Sequence, residues 1–201
     1  RLQEHAFRYD PQFLQASPGI ILTGYFQSWK YFSAISEELR GELQAKAAAL
    51  LSARASGMYQ SGTAVHVRLG DYLNKKHAAT HRIDLDSYYY SVFDQLHRED
   101  PKQLITIFSD DVEAARKLIA KFVPSYRLQI FGVANSDLVD LMSMSRFDRI
   151  VCANSSFSWW AAWISGLPGE RVFVPGQWIN HPDFCLADLV PRRWTVVQTQ
   201  Y

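Results

Sequence analysis

Cysteine is scarce in this chain. Cys152 and Cys185 are the 2 thiols among 201 residues, too few for a disulfide framework. Cys152 lies in an apolar run that suits a buried thiol better than a reactive one. An excess of charge of one sign is lacking too. Lys and Arg number 21 against 20 Asp and Glu, a net charge of +1, so bulk electrostatics gives no footing to nucleic acid or an acidic membrane surface. No apolar run is long enough to span a bilayer, and no signal peptide is visible. The chain has no P-loop, no G-x-G-x-x-G and no G-x-S-x-G elbow. Neither an internal repeat nor a low-complexity linker divides it. It begins at Arg1 rather than Met, which points to a processed chain or a fragment.

What is present is strand, loop and helix in alternation. A buried strand is expected over 63–68, a polar loop over 69–83 and a helix over 86–98 capped by Asp84 or Asp86. Strands follow at 104–108, 127–131, 148–153 and 171–174, with another at 194–197, and helices at 112–122, 136–145 and from Ser155 or Ser156 to Ile164. This spacing implies an α/β fold, a parallel sheet with flanking helices. Before it, residues 1–35 are rich in aromatics and turns, with a short strand at Ile20–Leu22. Residues 36–54 read as a helix with Ser36 as its N-cap. The plausible domain boundary lies near 55–62.

Polar residues gather at the ends of the expected strands. His66, Arg68 and Asp71 leave the first, with Gly70 between the last two. An arginine there is a natural clamp for carboxylate or phosphate, because its planar fork bonds two oxygens at once. An Arg68–Asp71 ion pair that merely closes the loop is the competing reading. Ser109, Asp110 and Asp111 leave the second strand. Asn154, Ser155, Ser156, Phe157 and Ser158 open a helix, where free N–H groups and hydroxyls form an anion site. N-capping by one serine is the plainer use of that run, though it would not call for so many polar neighbours. Together the clusters suit a nucleotide diphosphate, with Arg68 and the Ser-rich helix start on the phosphates and an Asp accepting donors from a base or ribose.

Other candidates have plainer uses. Asp84 and Asp86 match a D-x-D metal pattern, but capping of the next helix is the better use. Asp110 and Asp111 could hold Mg²⁺, yet adjacent residues after a strand point differently, and one is expected to cap a helix. His77 and His81 are four apart, but no third ligand joins them with sensible spacing. No metal site is expected. Gln27, Trp29 and Tyr31 mix stacking and hydrogen-bonding groups as sugar sites do, although an aromatic cover packed on the sheet is favoured.

The segments H66-V-R-L-G-D71, F108-S-D-D111 and A153-N-S-S-F-S-W-W-A-A-W163, in this order, resemble glycosyltransferase family 11, the α-1,2-fucosyltransferases. G24-Y-F-Q-S-W-K-Y-F32 is similar to that family's stretch before its first helix. Val174-Pro175 with Trp178, and Leu189-Val190-Pro191 with Trp194, resemble its ending. The family's Gly-rich G-N-Q-type opening has no counterpart here.

The resemblance therefore implies a whole Rossmann-like donor lobe of a GT-B-like fold over 61–201, and a partial acceptor-side region over 1–60. It implies a GDP-β-L-fucose donor as co-substrate, a glycan acceptor ending in galactose, and metal-free inversion without a cofactor. His66 and Asp110 or Asp111 would hold guanine and ribose. Arg68, with Asn154, Ser155, Ser156, Phe157 and Ser158 at the helix start, would hold the phosphates. Asp71 is either the base for the acceptor hydroxyl or the group that orients Arg68. Gln27, Trp29 and Tyr31 would meet the acceptor. A bacterial member would be cytoplasmic or peripheral to the inner membrane, an animal one Golgi-anchored. A catalytically silent nucleotide- or glycan-binding module is the alternative from another class. A small phosphohydrolase using His66 and Asp71 is a third reading, which strong metal dependence would favour.

Overall fold

A computed structural model of the chain describes residues 1–4, 8–52, 60–69, 83–122, 127–131 and 136–198. Six strands form an all-parallel sheet: β3 (Gln60–Val67), β4 (Ile105–Ser109), β5 (Leu128–Ile130), β6 (Phe147–Val151), β7 (Val172–Pro175) and β8 (Thr195–Val197). Their spatial order is β5-β4-β3-β6-β7-β8, a Rossmann-like arrangement. The chain steps outward from β3 through β4 to β5, then crosses back to start again at β6. The order thus reverses between β3 and β6, which lie side by side with Val65 opposite Val151. A crevice opens at such a reversal, at the carboxyl ends of the strands.

Side chains along each strand alternate between two cores. Ala64 joins Phe108, Ile150, Cys152, Val172 and Val174 beneath three helices. These are α1 (Ser36–Ser52), α4 (Asp137–Met144) and α5 (Ser156–Ser165). Val65 and Val67 join Ile105, Ile107, Val151 and Phe173 on the other face. There they meet α2 (Asp86–Glu99) and α3 (Val112–Ile119). The α2 stripe of Tyr88, Tyr89, Val92, Phe93 and Leu96 is buried at helical spacing. Helix α5 buries Trp159, Ala161, Ala162, Trp163 and Ile164, so it is apolar nearly all round and lies deep. It stops at Gly166, whose φ of 68° is the left-handed C-cap that glycine adopts without steric cost.

The expected strands and helices are present, with ends shifted by a few residues. Strand 20–22 is instead β2 (Leu22–Thr23), paired in parallel with β1 (Leu2–Gln3). Ser36 does not cap α1. A 3-10 helix over Trp29–Ile35 runs into α1, so Ser36 already has helical angles, and the capping falls to Ser28, which accepts from the Lys30 N–H at 3.3 Å. Asp84 accepts from the Asp86 N–H at 2.9 Å, and Asp86 pairs with Lys121 at 2.9 Å. The residue at the α2 N-cap is Leu85, with no side-chain bond. A four-residue helix, α6 (Leu186–Leu189), precedes β8. It anchors the aromatic N-terminal segment: Asp188 accepts from Tyr9 N–H and Lys30 Nζ, and its carbonyl accepts from Ser28 Oγ at 2.6 Å. Among the described residues no helix is long and apolar enough to cross a membrane.

Candidate active site

The pairing of β3 with β4 sets His66 beside Phe108 and Val67 beside Ser109. Arg68 and Asp110, next along each chain, therefore leave the sheet together. Asp110 Oδ1 accepts from the Leu69 N–H at 3.0 Å, and its Oδ2 lies 3.4 Å from Arg68 Nε. One carboxylate thus fixes both the backbone after Arg68 and the guanidinium itself. The side chains of Arg68 and Asp110 keep 33% and 25% of their surface in solvent, enough to meet a ligand.

His66 lies next to the end of β3, on the α5 side, and is buried. Its Nδ1 lies 3.1 Å from Ser158 Oγ, across the point where the strand order reverses, and its ring lies 5.0 Å from that of Phe157. From above, the Tyr89 hydroxyl donates to the His66 carbonyl at 2.9 Å. Burial lowers the imidazole pKa to about 3; Asp110 opposes the shift and Arg68 adds to it. At neutral pH this is a neutral ring held by a serine, suited to hydrogen bonding at its other nitrogen rather than to carrying charge.

The α5 start gives its polar residues different tasks. Ser155 is the N-cap and accepts from the Phe157 N–H at 3.4 Å. Ser158 is fully buried and bonds His66, so it acts through that ring. Asn154 is buried and donates to the Trp178 carbonyl at 2.9 Å, tying the turn to the segment after β7. Ser156 is exposed and Phe157 half-buried, and these two face clefts. Phe157, His66, Arg68, Ser109 and Asp110 border a cleft of about 90 Å³ with Asp137 and Asp140. Asp111 turns away to cap α3, accepting from the Ala114 N–H at 3.0 Å, and borders a separate cleft with Arg68, Asp84 and Asp86.

The sequence reading missed Asp137 and Asp140. A signal existed: a helix that follows a parallel strand starts at the carboxyl end of the sheet, and acids three apart in its first turn face one way. Asp71, His77 and His81 lie outside the described residues, so the Arg68–Asp71 pairing falls there too, while Arg68 meets Asp110. Cys152 is buried as expected; burial raises its thiol pKa, and both cysteines are free. Among the described residues no group of three or more His, Cys, Asp or Glu gathers as a metal site.

The acceptor candidates separate. Gln27 is exposed beside a cavity of about 300 Å³. Tyr31 belongs to the aromatic cover: its ring packs on Tyr9, Phe13 and Phe26, and its hydroxyl accepts from the Asp10 N–H at 3.0 Å. Trp29 packs half-buried on the α1–α5 core.

Three relatives share parts of this chain. An alpha-1,2-colitosyltransferase of Escherichia coli is 26% identical over 178 residues, covering 87% of this chain and 61% of the relative. An O-antigen biosynthesis glycosyltransferase of Escherichia coli is 31% identical over 117 residues, covering 58% of this chain and 38% of the relative. A galactoside 2-alpha-L-fucosyltransferase of Caenorhabditis elegans is 30% identical over 164 residues, covering 75% and 44%. The chain therefore spans less than two thirds of the length of each. The sequence pattern of "Glycosyl transferase family 11" matches residues 13–183, through the ends of β3, β4 and β6 and the start of α5, and the chain belongs to that family.

Proposed function

We propose that this chain carries the donor site of an inverting, metal-independent fucosyltransferase. It would move L-fucose from GDP-β-L-fucose to a galactose-type 2-hydroxyl of a glycan. In this reading 61–201 form the donor lobe of a GT-B-like fold and 1–60 the acceptor side. The observation that carries it is the convergence of His66, Arg68, Asp110 and the α5 start on one crevice. Two of the relatives are named for a 1,2 or 2-alpha linkage.

The chemistry asks for what these residues offer. The acceptor hydroxyl attacks the anomeric carbon from the face opposite the nucleotide. The bond to the β-phosphate oxygen breaks, its electron pair stays on that oxygen, and the hydroxyl proton passes to a base. Asp71 is our candidate for that base. The growing negative charge on the phosphate needs cationic and N–H groups set in advance. Arg68, braced by Asp110, and the α5 N–H groups fill that need. A guanine presents N1–H and N2–H₂ to one carboxylate. Asp110 is engaged by Arg68 and Leu69, and Asp111 by its helix cap. Asp137 and Asp140 line the same cleft and are further candidates to meet guanine in this reading.

Calorimetric titration with GDP and with UDP, each with and without EDTA, tests the donor site. GDP binding well above UDP binding, unchanged by EDTA, is the expected result. An EDTA-sensitive signal would return the acidic pairs to the reaction. Absence of GDP binding would remove the donor reading. GDP binding with neither transfer nor donor hydrolysis would favour the silent module.

A further inference from the structure

The first turn of α5 separates two cavities. Phe157 borders the His66–Arg68 cleft, and Ser156, one residue earlier, borders the cavity of about 300 Å³ under the N-terminal segment. Six groups define the second cavity for this purpose: Tyr25, Gln27 and Phe32 from that segment, Ser156 and Trp160 from α5, and Trp178. The volume is at the small end of ligand pockets, about 300–1,000 Å³. Phe32 and Trp160 stack with centroids 5.4 Å apart and 24° between planes. Phe32 is in turn edge-on to Trp163 at 5.0 Å, and Trp160 edge-on to Trp159 at 5.1 Å. The aromatic wall is therefore rigid. The rim is open and polar: Tyr25 is 76% exposed, and Gln27 and Ser156 are exposed as well.

The rim is also held in an uncommon backbone form. Phe26 has a φ of 49°, in the left-handed region that a bulky residue rarely enters. Glu4 Oε2 holds it there, accepting from the N–H groups of Tyr25 and Phe26 at 2.8 and 2.9 Å. A segment built only to cover a core has no need to bend so that Tyr25 and Gln27 stand at a mouth.

We propose that this cavity is a pyranose subsite, resting on the donor reading above. Aromatic rings suit the C–H face of a sugar, whose weakly positive hydrogens meet the negative ring face. Gln27 and Ser156 offer amide and hydroxyl partners to the sugar hydroxyls. The shared helix turn places such a ring next to the phosphate end of the donor crevice, where a transferred sugar or its acceptor must sit. Two sources carry this chemistry, the fucosyl group of the donor and the terminal galactose of the acceptor.

The test uses the whole chain, with Gln27→Ala and Trp160→Leu as variants checked by thermal unfolding. GDP and GDP-fucose are titrated by calorimetry, and methyl β-D-galactopyranoside by saturation-transfer NMR in the presence of GDP. Gln27 lies on the surface, so its variant keeps the test alive if Trp160→Leu does not fold. Loss of galactoside affinity by about five- to tenfold, with GDP affinity unchanged, supports the subsite and assigns it to the acceptor. A similar loss for GDP-fucose but not GDP supports it and assigns it to the donor sugar. If wild type binds GDP and neither sugar responds to either folded variant, the subsite is overturned and the donor reading stands. If wild type does not bind GDP, the donor reading falls, and the galactoside arm alone decides the cavity.

Discussion

His66 lies near the end of β3 and Arg68 just past it, yet their surroundings give them opposite characters. Arg68 is partly exposed and braced by Asp110, so its fork is held ready for an anion. Lysine would keep the charge but not the bidentate geometry. On the proposed donor reading, Arg68→Lys is expected to lose at least about a hundredfold in turnover with GDP-fucose while its circular dichroism stays native. Wild-type rates would take Arg68 out of the reaction. His66 is buried and neutral, with a folded pKa of about 3. In the unfolded chain an imidazole titrates near about 6.5. Between these values the unfolded state takes up a proton that the folded state refuses, so acid favours unfolding. The His66 contribution is complete above about pH 6.5 and falls by about 1.4 kcal/mol per pH unit down to about pH 3. Urea midpoints of wild type and His66→Gln, compared at pH 7.5 and 5, measure it. The variant is expected to show the shallower decline, and parallel declines would mean that the ring is already charged when folded.

At the scale of elements, β3 is the strand on which the site depends, and its entry is irregular. The register against β6 shifts between Gln60 and Thr63, and Gly62 there has a φ of 108°. A Cβ on Gly62 would lie 2.7 Å from the Leu104 carbonyl oxygen, a backbone atom that cannot swing aside. Gly62→Ala is expected to cost about 1–3 kcal/mol, read as a lower denaturant midpoint at unchanged m-value. An unchanged midpoint would mean that the strand entry relaxes freely. The same strand shows what could be read from sequence. Ala64, Val65 and Val67 alternate toward two cores, and strands interleaved with helices implied the parallel sheet, because both signals are local. That Asp110 meets Arg68 is not a local matter, because the β3–β4 register brings the two together. Ser36 has the chemistry of a cap, yet 3-10 turns that start at Trp29 and kink at Phe32 already run into it. Asn154 and Ser158 were legible as polar residues beside a helix start. Their burial against Trp178 and His66 depends on packing that spacing does not encode.

Across the whole molecule, Asp188 joins the beginning of the chain to its end. Its carboxylate accepts from the Tyr9 N–H at 3.0 Å and from Lys30 Nζ, and its carbonyl accepts from Ser28 Oγ at 2.6 Å. Burial acts to raise its pKa, but the bonds from Lys30 and Tyr9 outweigh it, and the carboxyl titrates below the usual aspartate value. A lowered folded pKa means that this stabilisation is present above the ordinary Asp value, about 3.9, and is lost as pH falls through the folded one. The latch is therefore closed at neutral pH and opens only in strong acid. Removing the carboxylate leaves Lys30 unpaired beside Tyr9, and Asp188→Ala is expected to cost about 1–3 kcal/mol. The loss need not reach the sheet, because β3, β6 and α5 are held by their own cores. Hydrogen exchange should quicken across residues 9–31 and stay slow in β3 and α5. Since that segment supplies Tyr25, Gln27 and Phe32 to the aromatic cavity, the proposed subsite predicts weaker galactoside binding in the variant, and the proposed donor site predicts GDP binding that persists. Equal loss of both would mean that the N-terminal segment also shapes the donor crevice, and that the two cavities act as one site.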